Sequence, residues 1–390
     1  MIILDKPYVS ILLSTSVKNL QIPIIKVNDV SIPNESGLTI TKKEDFLREF
    51  QNTQSPLLFN SENGLRILNE YLPNHYLTTI AATLKNKAEF RRVLTKHFPE
   101  FFFREITFAE LDDLDMNSVP FPIIIKPVVG YSSIGVYRID QKEDFIDSIN
   151  MLKEDMSMAG SAYPKDVIDS QTLIIEELIE GDEYAIDAYY SEDGKPVILN
   201  LFKRMFSHEK DMSDRIYYTS KQVLKEVLHK VEDFLESIGP IFGLLSVPVH
   251  IEVRINSKGL VVPIEANPLR FAGIGTTELG VYAYNVNVYE YYFNQLEPDW
   301  DSIMENMDDS IYSFCCAEFD PSIDCKAIES VDHEAFKEHF QEILAYRPMD
   351  FNAYSTFSVV FHKASNFEEN KRILSLDLSD FLTMKELELV

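Results

Sequence analysis

The sequence predicts a mixed α/β and α+β protein: a small parallel α/β unit first, a strand-rich middle, and an α+β extension last. Three observations predict it. Short apolar runs alternate with helical patterns in a βαβαβα order over roughly the first 75 residues. A strong strand, Pro122 to Val129, enters a glycine–serine loop, and a hairpin lies within Leu244 to Gly275. From Ser310 the pattern changes to alternating strands with two helices. With 390 residues, of which 45% are hydrophobic and 12% aromatic, the chain has the length and composition of two or three folded domains.

Taken in order, Ile2 to Leu4 reads as a strand, and Asp5 as the cap of a helix with Pro7 in its first turn. Ile22 to Val27 is a second strand. Thr41, with Glu44 three residues on, opens a helix through Phe50 as a capping box. Leu57 to Phe59 is a third strand, and Ser61 and Gly64 open the next helix. Leu77 to His97 reads as one long helix stopped by Phe98-Pro99, and Phe101 to Phe108 as a strand. The acidic stretch Asp112 to Asn117 reads as solvated surface. After Pro122 to Val129 comes Gly130-Tyr131-Ser132-Ser133-Ile134-Gly135, then a strand from Val136 to Ile139. Asp144 to Met158 is helical. Leu173 to Ile175 leads into Glu176 to Glu183, and Tyr184 to Tyr190 turns through Glu192-Asp193-Gly194-Lys195 into Val197 to Phe202. Met205 to Ser220 is polar and reads as a mobile loop. Val223 to Ser237 is an amphipathic helix with Gly239-Pro240 as its stop, and Asn285 to Phe293 is a further helix.

Charge and cysteine usage narrow the function. The formal charge is −27, from 36 basic and 63 acidic residues. Nucleic acid and anionic membrane are therefore poor partners, and any polyphosphate site has to be built locally against the global field. The three cysteines, Cys315, Cys316 and Cys325, lack zinc-like spacing and are expected to be reduced thiols of a cytoplasmic protein. The apolar run Met1 to Leu4 is cut by Asp5-Lys6-Pro7, too early for a signal peptide or a membrane span. No GxSxG, CxxC, HExxH or Walker pattern occurs.

The hairpin carries the chemistry. Val249 to Ile255 and Leu260 to Asn267 flank the turn Asn256-Ser257-Lys258-Gly259. Glu265 and Asn267, two apart, share a sheet face, and in-register pairing sets Glu252 beside them. Three oxygen donors on a face that otherwise wants burial suit a divalent cation, and hard oxygen ligands suit magnesium, which completes its shell with water and nucleotide phosphate. Lys126 sits inside an apolar strand, a costly place for an ammonium unless its charge is used. The loop after it has amides and hydroxyls able to close over phosphates, although an ordinary hairpin loop explains it too.

In this order, the run KPVVGYSSIGV, the linker EELIEGDEY and the segment IEANPLR resemble the ATP-grasp superfamily over roughly residues 1 to 300. The tail from Phe357 to Leu382 is similar to the C-terminal subdomain of carboxylase-type and amino-acid-ligase-type members. The resemblance implies an ATP-grasp fold with a pre-grasp domain at 1–80, a grasp domain at 81–309 and an α+β subdomain at 310–390. The grasp domain divides into a flap-bearing lobe near 110–180 and a metal-bearing lobe near 181–309. It implies ATP and Mg2+ as cofactors, with Mn2+ the alternative, and a C–N bond-forming, ADP-forming ligase acting on a small carboxylate and an amine. A homodimer is the commonest assembly.

Residue by residue, the resemblance gives Lys126 the α- and β-phosphates, with Gly130, Ser132, Ser133 and Gly135 covering them. Lys87 matches a second phosphate lysine, with Lys85 as fallback and a solvated helix lysine as the plain alternative. Glu176 would accept from the adenine amino group, Glu177, Leu178 and Ile179 would form the hinge, and Glu183 would bind ribose. Glu252, Glu265 and Asn267 would be the metal ligands. Arg270 matches the arginine that stabilises an acyl oxyanion, though it stands three residues after the asparagine where many members have two. An ion pair is its plain alternative. Lys203, Arg204 and Arg215 would meet the γ-phosphate or a substrate carboxylate, or else be solvated. His250 reads more simply as a hydrogen-bonded core residue. A kinase of the same fold and a non-catalytic nucleotide-binding protein are the rival readings. The intact trio speaks against the second rival, and Arg270 against the first.

Overall fold

Strands β1 (Ile2–Leu4), β2 (Ile24–Lys26) and β3 (Leu58–Phe59) form a parallel sheet in the order β2-β1-β3, with Ile2 opposite both Ile24 and Leu58. The computed structural model describes residues 1–53, 55–130, 134–162, 171–209, 211, 213–320, 323–351 and 355–385. Helices α1 (Ile11–Asn19), α2 (Lys43–Thr53) and α3 (Leu65–Tyr71) belong to this first layer. Its first helix starts later than expected. Ser10, in extended backbone, accepts from the Leu13 amide at 2.9 Å and caps α1. Asp5 is buried and accepts from Asn28 instead.

The single helix expected over Leu77 to His97 is two helices, α4 (Tyr76–Lys85) and α5 (Lys87–Leu94). Asn86 breaks it. Its ψ of 107° is extended, and its side chain accepts from the amides of Ala88 and Glu89, both at 3.0 Å. A side chain that satisfies the first free amides of a new helix stabilises a break at that point.

Strands β4 (Phe103–Thr107), β5 (Ile123–Pro127), β6 (Tyr137–Ile139) and β7 (Thr172–Glu177) form an antiparallel sheet in the order β4-β7-β5-β6. Ile123, Ile125, Ile139, Leu173 and Ile175 pack its inner face against α6 (Phe145–Ala162) through Leu152 and Met156. The glycine–serine loop joins β5 to β6. Ser132 and Ser133 lie outside the described residues. Gly135 has φ of +69°, and a Cβ there would stand 2.6 Å from Met156 Sδ, so no other residue fits without displacing the core.

The largest element is an antiparallel sheet of eight strands, in the order β12-β11-β8-β9-β10-β13-β16-β15. These are β8 (Asp182–Tyr190), β9 (Pro196–Met205), β10 (Ile216–Thr219), β11 (Val247–Ile255), β12 (Val261–Pro268), β13 (Ile311–Glu318), β15 (Glu342–Pro348) and β16 (Thr356–Ala364). A two-stranded pair, β14 (Ile328–Val331) with β17 (Leu382–Met384), completes the tail. Two expectations change here. The stretch Met205 to Ser220 is not all loop, since β10 lies in the sheet between β9 and β13. The sheet also runs across the expected boundary at 309/310: β13, β16 and β15 continue the sheet that carries β11 and β12.

Helix α7 (Lys221–Phe242) covers the sheet with Val227, Val231, Leu235 and Ile238, and runs past Pro240 to end at Gly243. A proline within the last turn removes one backbone donor and shortens nothing upstream. Among the described residues no helix is long and apolar enough to cross a membrane.

Candidate functional site

Register builds the site. On β11 and β12, Glu252 stands opposite Glu265 and His250 opposite Asn267, so the expected trio shares one face. On the other side of β11, His250 pairs with Asp187 and Arg254 with Glu183 of β8. Side chains two apart along each strand thus form polar rows across three strands.

Facing carboxylates repel, and the structure shows how the repulsion is met. Glu265 Oε2 lies 2.9 Å from Lys87 Nζ, and Oε1 accepts from Asn267 Nδ2 at 3.0 Å. Burial pushes the Glu265 carboxyl up, but Lys87, Lys85 and Lys126 outweigh it and hold it well below the usual carboxylate range. Burial pushes the Glu252 carboxyl up as well. His250, with Nε2 at 3.4 Å, opposes this, and the charge of Glu265 adds to it. Among the described residues no three His, Cys, Asp or Glu side chains form a metal-binding group. The trio has two carboxylates and one amide oxygen, a hard donor set on one face with like charges opposed. That set fits a magnesium ion whose other ligands are water and phosphate.

The flap-strand lysine is held by an acid. Lys126 Nζ lies 2.7 Å from Glu176 Oε2, while Arg91 Nε pairs with Oε1. Glu176 is therefore a buried counter-ion, with both oxygens engaged, rather than an open acceptor for an adenine amino group. Burial pushes its carboxyl up, and Arg91 with Lys126 brings it down to about 2. A folded value below the unfolded one near 4.5 stabilises the protein above that unfolded value, and the stabilisation is lost as pH falls towards 2. Between pH 5 and pH 2 the wild type is expected to lose about 3 kcal/mol more stability than E176Q, measured by denaturant unfolding across that range.

Lys85, the fallback lysine, is the one that meets the flap: its ammonium donates to Gly130 O at 2.9 Å and pairs with Glu62. Arg270 Nη2 lies 2.6 Å from Glu62 Oε1, Nη1 donates to Phe271 O at 3.0 Å, and Nε is buried without a partner among the described residues. Glu62 comes from the N-terminal layer, so it ties Lys85 and Arg270 to one acid.

Other expected site residues are placed elsewhere. Glu183, read as a ribose ligand, is buried between Arg204 at 2.7 Å and Arg254 at 3.0 Å, so both its oxygens are taken. The hinge is strapped to the sheet: Glu177 N donates to Phe102 O, Leu178 N to Pro122 O, and Arg254 to Ile179 O. Lys203 pairs with Asp182 at 2.6 Å. Arg215 donates to the carbonyls of Leu374 and Leu376, which makes it a strut to the C-terminal segment rather than a phosphate ligand.

Three residues escaped the sequence reading. Arg91 had a signal, because Lys87, Phe90, Arg91 and Leu94 fall at i, i+3, i+4 and i+7 and all are buried. Glu62 and Asp187 had none. Asp187 accepts from His250, Asn200, Thr277 and the Ala272 amide. Burial pushes His250 down, but Asp187 and Glu252 hold it up at about 9.

Comparison with known proteins places this geometry. Residues 119–278 match the ATP-grasp domain family. No curated protein matches the sequence. Among solved structures, the L-amino acid ligase from Bacillus licheniformis superposes with a TM-score of 0.68 at 14% identity, over 98% of each chain. The phosphoribosylglycinamide synthetase from Anaerococcus prevotii gives 0.58 at 14% identity, again over 98% of each. The biotin carboxylase domain of the Hydrogenobacter thermophilus 2-oxoglutarate carboxylase, in complex with MgADP and bicarbonate, gives 0.61 at 10% identity, over 98% of this chain and 90% of that one. The fold is the ATP-grasp fold.

Proposed function

We propose, from the premise that residues 119–278 form an ATP-grasp domain, that this protein is an ATP- and Mg2+-dependent ligase. It activates a small carboxylate as an acyl phosphate and joins it to an amine, releasing ADP. The observation that carries this reading is the facing pair Glu252 and Glu265, flanked by Asn267 and set in the field of Lys85, Lys87 and Lys126.

Glu252, Glu265 and Asn267 are the residues that would hold magnesium, or manganese in its place. When bound, the cation neutralises charge on the phosphoryl group in transfer. The chain's own part is positioning and charge. Lys126, and Lys85 beneath Gly130, bring positive charge to the flap, where two anions have to approach. To the residues joining β5 and β6 we assign the role of keeping water from an acyl phosphate. Arg270, oriented by Glu62 and with a free Nε–H, can stabilise a tetrahedral oxyanion. A kinase forms no acyl oxyanion, so Arg270 favours acyl transfer. Small molecules are the partners, and a homodimer is the usual assembly for such enzymes.

The test is a hydroxylamine trap. With Mg-ATP, a panel of small carboxylates and hydroxylamine, hydroxamate and ADP are expected in equal amounts for the accepted acid. ADP formed together with a phosphorylated hydroxyl compound identifies a kinase instead. No ADP with any acid overturns the reading.

A further inference from the structure

We propose that the cleft in the N-terminal layer, between the end of β2, the start of α2 and the body of α3, binds a small organic oxyanion. Its head is a phosphate ester or a carboxylate, and its body is apolar or aromatic. The proposal stands apart from the ligase reading, since no residue placed at the nucleotide or metal site lines this cleft.

The cleft encloses about 500 Å3, a volume that suits a small ligand. Part of its wall is apolar. Ile25 and Ile67 are buried there, while Ile40 is 47% exposed and Tyr71 37%. Two large apolar side chains thus stand open to water beside a concave surface.

The rest of the wall is mostly cationic. Lys26 comes from β2, Lys42 and Lys43 from the start of α2, and Arg66 from α3, against one acid on the wall, Glu70. This local excess runs against a chain whose formal charge is −27. Two of the four cations are engaged by the protein. Lys26 Nζ lies 3.0 Å from Glu35 Oε1. Lys43 Nζ donates to the Tyr71 hydroxyl at 2.5 Å and stands 4.0 Å from the centre of its ring. The Tyr71 bond pushes the Lys43 pKa up, and the charges of Glu70 and Glu44 add to it. Lys42 and Arg66 are exposed and have no ion pair among the described residues. Cations gathered on a concave wall of low dielectric focus their field into it.

Charge and surface together select the ligand. A cation meets four like charges. A metal ion finds a single carboxylate, too few oxygen ligands. A neutral apolar molecule strips water from Lys42 and Arg66 and returns no acceptor. A bare inorganic anion answers the charges but leaves Ile40 and Tyr71 in water. An oxyanion on an apolar body does both. Arg66 offers a planar fork of N–H donors and Lys42 a mobile ammonium, while the body covers Ile40 and the Tyr71 ring.

Isothermal titration of the full chain tests this, with Mg2+ and a non-hydrolysable ATP analogue in excess so that the grasp site is filled. The probes are phenyl phosphate, hydrocinnamate and phenol. At least one anion is expected to bind, and phenol about tenfold more weakly than the better anion, or worse. Tighter binding of phenyl phosphate assigns the cleft to phosphate esters, and tighter binding of hydrocinnamate to carboxylates. K42E/R66E is expected to weaken the better anion about tenfold or more and to melt as wild type does, since both side chains are exposed and unpaired. Should that variant fail to fold, K42Q and R66Q, taken singly, are each expected to weaken it about threefold. No binding of either anion, phenol bound as tightly as the better anion, or binding unchanged in the folded variants overturns the proposal. Failure of the ligase reading shows separately, as absence of ADP and hydroxamate in the trap.

Discussion

Glu265→Gln is expected to lower ADP formation at least a hundredfold, about 3 kcal/mol of transition-state stabilisation, while the protein stays folded. Glutamine keeps the shape of the side chain. Its amide oxygen can still accept from Asn267 Nδ2, which donates to Glu265 Oε1 at 3.0 Å. What is lost is the charge that faces Glu252 and pairs with Lys87 at 2.9 Å. Removing the carboxylate relieves its repulsion with Glu252 but leaves the buried Lys87 ammonium without its counter-ion, so the melting temperature is expected to fall by several degrees while the protein stays folded. Cation affinity should suffer, because two anionic ligands become one. The measurement is ADP release at saturating ATP, titrated with Mg2+, alongside a thermal melt. A higher Mg2+ requirement with a low maximum supports the assignment. Turnover equal to wild type would remove Glu265 from the metal site.

Why this pair was legible while its counter-ions were not is a matter of range. Strand alternation and the turn Asn256 to Gly259 are local, and they place Glu252 opposite Glu265 without knowledge of any other segment. The parallel N-terminal sheet was legible for the same reason. The ion pairs are not local: Arg91 meets Glu176 across 85 residues, and Arg270 meets Glu62 across 208. Nothing in a one-dimensional pattern says which carboxylate a given arginine will find. Strand β10 hid in a charged stretch because its partner β13 lies in the tail. The break at Asn86 was readable after all. An asparagine followed three residues later by Glu89 is a helix-start signal, overridden in the reading by the charged and aromatic run from Leu77 to His97 taken as one helix. The hinge and Glu183 show the opposite limit: a motif gives position along the chain, but the arginines that occupy Glu183 come from β9 and β11.

Asp187→Ala is expected to lower stability by about 3–5 kcal/mol, seen as a fall of roughly 5 °C in the melting temperature. The side chain is 0% exposed and is a node rather than a pair. His250 Nδ1 lies 2.9 Å away, Ala272 N donates at 2.8 Å, Thr277 Oγ1 at 2.6 Å and Asn200 Nδ2 at 2.9 Å. Truncation leaves four buried polar groups without this acceptor, one of them an imidazolium held near a pKa of 9 by Asp187 and Glu252 against the effect of burial. Asp187→Asn separates this account from simple loss of volume. Asparagine fills the same space but offers one oxygen, and it turns an NH2 towards groups that already donate. It should therefore destabilise nearly as much as alanine. If asparagine were neutral, shape rather than acceptor capacity would be what matters. Because the same carboxylate anchors β11 through His250 and the loop after β12 through Ala272 and Thr277, partial rescue at low temperature should return metal-dependent turnover together with the fold.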